Sequence, residues 1–201
     1  MNEQVKPVPL EETDALLKEV EFVHYVFFGQ SMHSLAGSTD LYFEPHLHVS
    51  VNVLEHEQKK LLKKITIKSL SEQTIPIKLI TGTFVSESKN NYVFISPTHD
   101  AIFLLNEKNL YLTSGMVKGE PLSQYGVLPP ENLKQLHDGM IPLCPLGKGN
   151  VGAVFSLETV LAPYETVDAY TWILKTNTQI EEKLLQKNQD MKYRLAFSEK
   201  K

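Results

Sequence analysis

Hydrophobic and polar residues alternate along residues 46–53 with the two-residue period of a β-strand. One face of this segment is apolar, and the other carries two imidazoles, a hydroxyl and an amide. The apolar positions are Leu47, Val49, Val51 and Val53, and the polar positions are His46, His48, Ser50 and Asn52. Because successive side chains of a strand point to opposite sides of its sheet, we predict a strand with one core face and one wholly polar face.

The rest of the chain mixes strand-like and helix-like patterns. Runs rich in β-branched and aromatic residues predict strands at 22–28, 75–85, 92–95, 151–160 and 167–175. The second and third of these are expected to form a hairpin. Helical spacing predicts helices at 10–20, 54–70, 131–138 and 179–194. Residues 101–114 fit a helix or two short strands around Asn106 and Glu107, and we favour the helix. Residues 30–40 and 115–130 are predicted loops.

Length and composition favour one globular domain, and the mixture of predicted strands and helices makes its fold class α+β. The chain has 201 residues, of which 42% are hydrophobic and 22% charged, enough to bury a single substantial core. We predict an irregular lead-in at residues 1–9, the domain itself at 10–176, and a charged C-terminal helix within 177–201. No obvious internal repeat is present.

Net charge and cysteine content limit the partners and the cellular compartment that we expect for this protein. The net charge of −4 excludes a general positive field for duplex DNA, and Arg194 is the only arginine. Cys144, the single cysteine, cannot form an internal disulfide. The chain has neither a signal-peptide pattern nor an apolar run of membrane-spanning length. We therefore expect a cytoplasmic protein without membrane contact.

The polar face of the 46–52 strand is the main candidate for chemistry. An imidazole titrates near neutral pH, and a hydroxyl two positions along the strand can donate to a phosphoryl oxygen, so His48 and Ser50 form a possible catalytic pair. A solvated sheet face explains the same pattern. His46 and His48 lack a clear third ligand, so we predict no metal site and no cofactor.

The segment from Pro45 to Val51 resembles the first HxSx/HxTx motif of the two-histidine (2H) phosphoesterases, a LigT-like group that includes RNA ligase-like and cyclic phosphodiesterase proteins. His48 matches the motif histidine and Ser50 its hydroxyl partner. The order of predicted elements over residues 20–176 is also similar. The resemblance implies a two-lobed fold of antiparallel sheets with flanking helices and a cleft between the lobes.

The second motif of that family is not intact. Residues 141–147 lie where a histidine and a threonine would be expected, but Leu143 and Pro145 stand in their places. The family's cleavage needs one imidazole for the nucleophile and one for the leaving oxygen, and losing one such group costs about 10²- to 10⁴-fold in rate. Lys78 and Lys148 are available cations, and Tyr125 or His137 could occupy the vacated position, but no pattern selects one of them as a replacement.

Three functions therefore follow from the sequence. The first is a degenerate 2H-like protein that binds a nucleotide, an RNA end or another phosphate ligand with little turnover, with His46 and Lys148 as further ligand contacts. The second is an active phosphodiesterase that uses His48 and Ser50. The third is a protein-interaction domain with a vestigial cleft.

Residues 147–152 lack the Walker spacing and are predicted to be a turn. Lys59, Lys60, Lys63 and Lys64 are predicted on the solvated face of the 54–70 helix.

Overall fold

Two antiparallel β-sheets make up most of the molecule. The computed structural model describes residues 16–37, 39–86, 90–136, 138–177 and 181–198. Thirteen strands are present in these ranges: β1 Val20–Phe28, β2 Ser31–Ser34, β3 Asp40–Phe43, β4 Leu47–Glu57, β5 Lys60–Ser69, β6 Ile75–Val85, β7 Asn91–Ser96, β8 Ala101–Leu105, β9 Leu110–Val117, β10 Gln124–Leu128, β11 Leu146–Gly149, β12 Gly152–Leu161 and β13 Thr166–Thr176. The helices are α1 Pro130–Leu133 and α2 Glu181–Ser198, with a 3₁₀ turn at Pro97–His99 and a helical turn at residues 16–19.

The two sheets differ in width. One has five strands in the order β10-β12-β6-β1-β2, and the other has eight in the order β11-β7-β8-β9-β13-β5-β4-β3. Six of the eleven pairings between these strands join strands that are not consecutive in sequence, and β13, the last strand, lies between β9 and β5. Three additional strands make the second sheet about 14 Å wider than the first.

The sheets pack face to face around one apolar core. Their inner faces supply the largest buried cluster, in which Phe155 and Leu157 of β12 meet the inner face of the eight-stranded sheet. Gly115 of β9 permits this approach, because a Cβ there would lie 2.8 Å from the backbone oxygen of Tyr170 and 3.1 Å from both Phe155 and Leu157. The architecture is therefore a β-sandwich with few helices.

Both outer faces are partly covered. On the eight-stranded sheet, α2 packs its apolar side over Trp172 of β13, whose Nε1 donates to Asn188 Oδ1 at 2.9 Å. On the five-stranded sheet, Leu133, Leu136 and Ile141 pack over the outward side chains of β6 and β12. The remaining outer face of the eight-stranded sheet, over β3 and β4, carries polar residues.

The predicted helix at 54–70 is wrong, since these residues form the end of β4 and all of β5. The inner face of β5 is buried, with Leu61, Ile65 and Ile67 toward the core between the sheets, and on its outer face Leu62 joins the cluster beneath α2. Apolar residues on both faces of a strand produce neighbouring apolar positions that also match one face of a helix. The adjacent buried residues Leu61 and Leu62, one on each face of β5, therefore account for the helix-like spacing.

Other predictions had mixed outcomes. Strands were confirmed at 22–28, 46–52, 75–85, 92–95, 151–160 and 167–175, as was the helix from 181. Residues 101–114 are two strands, β8 and β9, because Asn106 Oδ1 accepts from the backbone N–H groups of Lys108 and Asn109 and forms a turn. The expected 75–85/92–95 hairpin is wrong, since β6 and β7 belong to different sheets. The predicted loops 30–40 and 115–130 contain β2 and β10, and the helix at 131–138 is reduced to α1.

Some predictions fall outside the described residues. These are the irregular lead-in at 1–9, the first part of the 10–20 helix, and His137. Within the described ranges, no helix has the length and apolar character needed to cross a bilayer.

Candidate functional site

The predicted catalytic pair lies on the outer face of the eight-stranded sheet. His48 and Ser50 project from β4 on the side opposite the buried Leu47 and Val49. The His48 Nε2 atom is 3.0 Å from Asp40 Oδ1 of β3, and its ring stacks on Tyr42 at 4.4 Å between centroids. This carboxylate and ring orient the imidazole. None of the four pockets described below has His48 or Ser50 in its lining.

The other predicted site residues do not join this pair. His46 is exposed next to β4, and its ring meets Phe28 edge-on at 6.1 Å. Lys148 lies on β11, where its Nζ is 4.9 Å from the centre of the Tyr92 ring. Because β11 and β4 are six strand spacings apart, Lys148 and His48 are separated by about 29 Å in the direction across the strands alone.

The segment that aligns with the second family motif is also distant from His48. Residues 141–147 run beside β10 and β7, where Val127 N–H donates to the Cys144 carbonyl and Ile95 N–H to the Pro145 carbonyl, both at 3.0 Å. Leu143 is 75% exposed, so it does not fill a cleft. The two motif segments therefore lie toward opposite edges of the same sheet.

Four of the pockets in the described part of the molecule have volumes of about 270–510 Å³. Two of these four lie against α2, and the largest of the four contains Lys78, whose charge is matched by Glu158 at 3.8 Å. The fourth, of about 430 Å³, opens between β1 of one sheet and β4 and β5 of the other. We call it the inter-sheet pocket. Its lining includes Phe22, Leu35, Val51, Val53, His24 and Lys63.

Lys63 is the distinctive residue of the inter-sheet pocket. It is half-buried, its Nζ is 3.4 Å from the Phe22 carbonyl oxygen, and it lies 5.2 Å from the centre of the Phe22 ring. Over the residues that the structure describes, no carboxylate lies within ion-pair distance of this ammonium. Burial lowers the pKa of Lys63 because the apolar surroundings disfavour its charged form.

The neighbouring lysines of β5 are arranged differently. Lys60 pairs with Glu55, and Lys64 is 2.7 Å from Asp168 on the outer face of the sheet. The prediction that Lys63 and Lys64 share one solvated helix face is therefore wrong. On a strand they point to opposite faces, which places Lys63 between the sheets.

His24 extends the polar character of the pocket into the core. It is 6% exposed, and its Nε2 is 2.9 Å from Thr171 Oγ1 on the opposite sheet. Burial, reinforced by the charge of Lys63, holds the pKa of His24 well below its ordinary value. The imidazole is therefore neutral near pH 7.

A short layer of threonines continues from His24 across the interior. Thr83 Oγ1 donates to Thr113 Oγ1 at 3.1 Å, which in turn donates to the Trp172 carbonyl. Thr81, opposite His24 in the β1–β6 register, has a buried hydroxyl with no partner among the described atoms. A row of polar side chains thus crosses the otherwise apolar core and ends at the inter-sheet pocket.

The sequence did not single out His24 or Lys63. His24 stands within a run of aromatic and β-branched residues, and Lys63 within a cluster of four lysines, so neither showed a motif. Assigning 60–69 as a strand would have placed Lys63 on the same face as Leu61, Ile65 and Ile67. No group of three His, Cys, Asp or Glu side chains in the described ranges is arranged to hold a metal ion.

The buried His24 predicts a specific loss of stability in acid. In the unfolded chain the imidazole of His24 binds a proton near pH 6.5, whereas in the folded chain it does so only at a lower pH. Between these two values the unfolded state holds more protons, so His24 lowers the free energy of unfolding by up to about 1.4 kcal/mol per pH unit as pH falls below about 6.5. It has no such effect above that pH. Urea unfolding from about pH 5.5 to about pH 7.5 measures the slope.

The control separates protonation from packing. His24→Gln should flatten the slope, because glutamine does not titrate. Val26→Ala, on the same face of β1, should lower stability at all pH values and keep the slope of the wild type. An unchanged slope in His24→Gln would contradict the prediction.

Comparisons with known proteins identify a similarity of fold. No family model matches the chain, and no curated protein matches it. Among solved structures, a bacterial glucoamylase complexed with acarbose matches 87% of this chain and 31% of its own, with 7% identity and a TM-score of 0.53. A human-microbiome protein described as a kojibiose phosphorylase covers 90% of this chain and 23% of its own, with 11% identity and a TM-score of 0.40.

The similarity to the glucoamylase concerns the fold alone. This chain spans about a third of the glucoamylase's length, and 7% identity does not transfer an activity. The resemblance to 2H phosphoesterases stays a prediction from the sequence.

Proposed function

We propose that this protein is a β-sandwich binding module whose inter-sheet pocket takes a small, largely apolar monoanion, such as a medium-chain carboxylate. The observation that supports it is the Lys63 ammonium, which faces an apolar pocket and has no carboxylate partner in the described ranges. A half-buried charge without a partner is costly. An anionic ligand would supply the missing charge.

The chemistry of the pocket favours a ligand with one negative charge over a ligand with two. Lys63 is the single cation in the described lining, and His24 is neutral near pH 7. A phosphate monoester carries a charge of about −1.5 to −2 at that pH and would be only partly compensated. A carboxylate matches one ammonium, and Phe22, Leu35 and Val51 can cover its hydrocarbon chain. The ligand class thus differs from the phosphate ligand that the sequence predicted.

Calorimetric titration with decanoate tests the proposal. A charge-assisted hydrogen bond contributes about 1.5–3 kcal/mol, so Lys63→Met should weaken decanoate binding by about tenfold to about hundredfold. Decanol lacks the charge, and its affinity should be nearly the same for both proteins. Lys63→Arg should retain decanoate binding because it keeps the positive charge.

Two variants locate the site. Lys68→Met removes a lysine from the same strand on the outer face, and His48→Ala removes the candidate imidazole there. Both should bind decanoate like the wild type. If Lys63→Met bound as tightly as wild type, or if only His48→Ala lost binding, the inter-sheet pocket would not be the site.

A second candidate function, a 2H-like phosphodiesterase on a two-lobed fold, rests on the orientation of His48 by Asp40 at 3.0 Å. An imidazole held by a carboxylate is suited to general acid or base catalysis, and Ser50 lies on the same strand face. Hydrolysis of cyclic phosphates that disappears in His48→Ala would favour this candidate. We place it second because the pair lies on an open sheet face rather than in a pocket.

A further inference from the structure

We propose that Lys63 forms an imine with an aldehyde whose hydrocarbon chain occupies the inter-sheet pocket, which makes this lysine a covalent attachment site for carbonyl compounds. The inference deepens the proposed function and rests on it, because it uses the same pocket and the same side chain. It adds a reaction and a second class of ligand.

Imine formation requires an amine that is not committed to an ion pair. Lys64 and Lys175 are each held by a carboxylate, at 2.7 Å from Asp168 and 2.5 Å from Glu19. Lys63, in contrast, meets the Phe22 carbonyl oxygen at 3.4 Å and the face of the Phe22 ring. Its nitrogen is therefore available to a ligand in the pocket.

The surroundings also favour the neutral amine, which is the nucleophile. Burial lowers the pKa of Lys63, and a desolvated lysine in an apolar pocket is one of the known forms of an activated amine. The adjacent apolar surface holds the hydrocarbon chain of an aldehyde close to that nitrogen, which raises its effective concentration.

The reaction is balanced without an oxidant or a reductant. The nitrogen lone pair attacks the carbonyl carbon and gives a carbinolamine. The carbon–oxygen bond then breaks as the carbon–nitrogen double bond forms, and the oxygen leaves as water with the two protons that the amine nitrogen carried. Water at the pocket mouth, next to the 54% exposed Val53, can accept and return these protons.

An anion in the same pocket should oppose the reaction. A bound carboxylate occupies the space of the aldehyde and stabilises the ammonium, which is not nucleophilic. The two ligand classes are therefore mutually exclusive, and decanoate serves as a competitor of the covalent step.

The test is reductive trapping of the full chain near neutral pH with octanal and cyanoborohydride, followed by intact mass measurement and peptide mapping. We expect one octyl adduct, located at Lys63, to form before adducts at other lysines, and saturating decanoate to suppress it. Lys63→Arg should lose this adduct. Lys68→Arg, the matched change on the outer face, should keep the adduct.

The outcomes separate this inference from the proposed function. Alkylation spread over exposed lysines, with Lys63 modified no faster than the rest, overturns the imine even if decanoate binds. An early adduct at Lys63 supports it even if decanoate does not bind, a result that would overturn the anion proposal instead. Circular dichroism and thermal unfolding of Lys63→Arg establish that the variant is folded.

Discussion

Replacing Trp172 with alanine should lower the free energy of unfolding by about 3–5 kcal/mol. The indole of Trp172 projects from β13 and is completely buried beneath α2, in a cluster with Leu184, Met191 and Leu195. The substitution removes the largest buried side chain and leaves Asn188, which is 2% exposed, without the donor to its Oδ1 atom. A domain of ordinary stability has only about 5–15 kcal/mol in total. Guanidinium unfolding followed by far-ultraviolet circular dichroism measures the loss.

Tyr193→Ala provides the control for the Trp172 experiment. Tyr193 lies on α2 but is 59% exposed, so its removal should change stability by less than about 0.5 kcal/mol. Asn188→Leu should cost less than Trp172→Ala, because it loses the hydrogen bonds of Asn188 with Trp172 and His99 but leaves the buried indole in place. A loss below about 1 kcal/mol for Trp172→Ala would mean that α2 does not stabilise the sheet as described.

The second large effect is expected at Phe155, on the inner face of the five-stranded sheet. Its ring is fully buried and lies against Gly115 of the opposite sheet. Phe155→Ala should cost about 3–5 kcal/mol, because the two sheets cannot collapse fully into the space that the ring leaves. The same unfolding measurement applies, with the midpoint and slope reported separately so that a change in the denatured state is recognised.

Two further substitutions sharpen the Phe155 prediction. Phe155→Leu keeps most of the buried volume and should cost less than half as much. Tyr42→Ala deletes an aromatic ring that is 64% exposed and should have little effect on stability. Equal losses for Phe155→Ala and Tyr42→Ala would be inconsistent with a core shared by the two sheets.

Much of the fold could be predicted from the sequence because strands with one polar face carry a clear two-residue period. Residues 46–52 are an example, and β1, β6, β12 and β13 were recognised from their β-branched and aromatic runs. β5 was missed because α2, more than a hundred residues later in the chain, covers Leu62 on its outer face and so makes neighbouring residues of the strand apolar. The local sequence of β5 does not indicate that a distant helix packs on it.

The candidate site was harder to predict than the fold. The strand at 46–52 correctly placed His48 and Ser50 on a polar face, but their distance from residues 141–147 depends on the strand order. Lys63 was predicted on a solvated helix face, and only its position on β5 turns it toward the core. The pocket requires β1 and β5 to face each other, and no periodicity in either segment specifies that arrangement.

The position of β13 between β9 and β5 also affects how the chain folds during its synthesis. The eight-stranded sheet has no continuous centre until residue 176 has left the ribosome. Until then β5 and β9 each have an unpaired edge, and such edges are prone to pair with other chains. Because its central pairings join distant segments, we expect folding on the slow side of the usual range, over milliseconds to seconds or longer. During that interval we expect these two edges to be the sites at which the nascent protein aggregates.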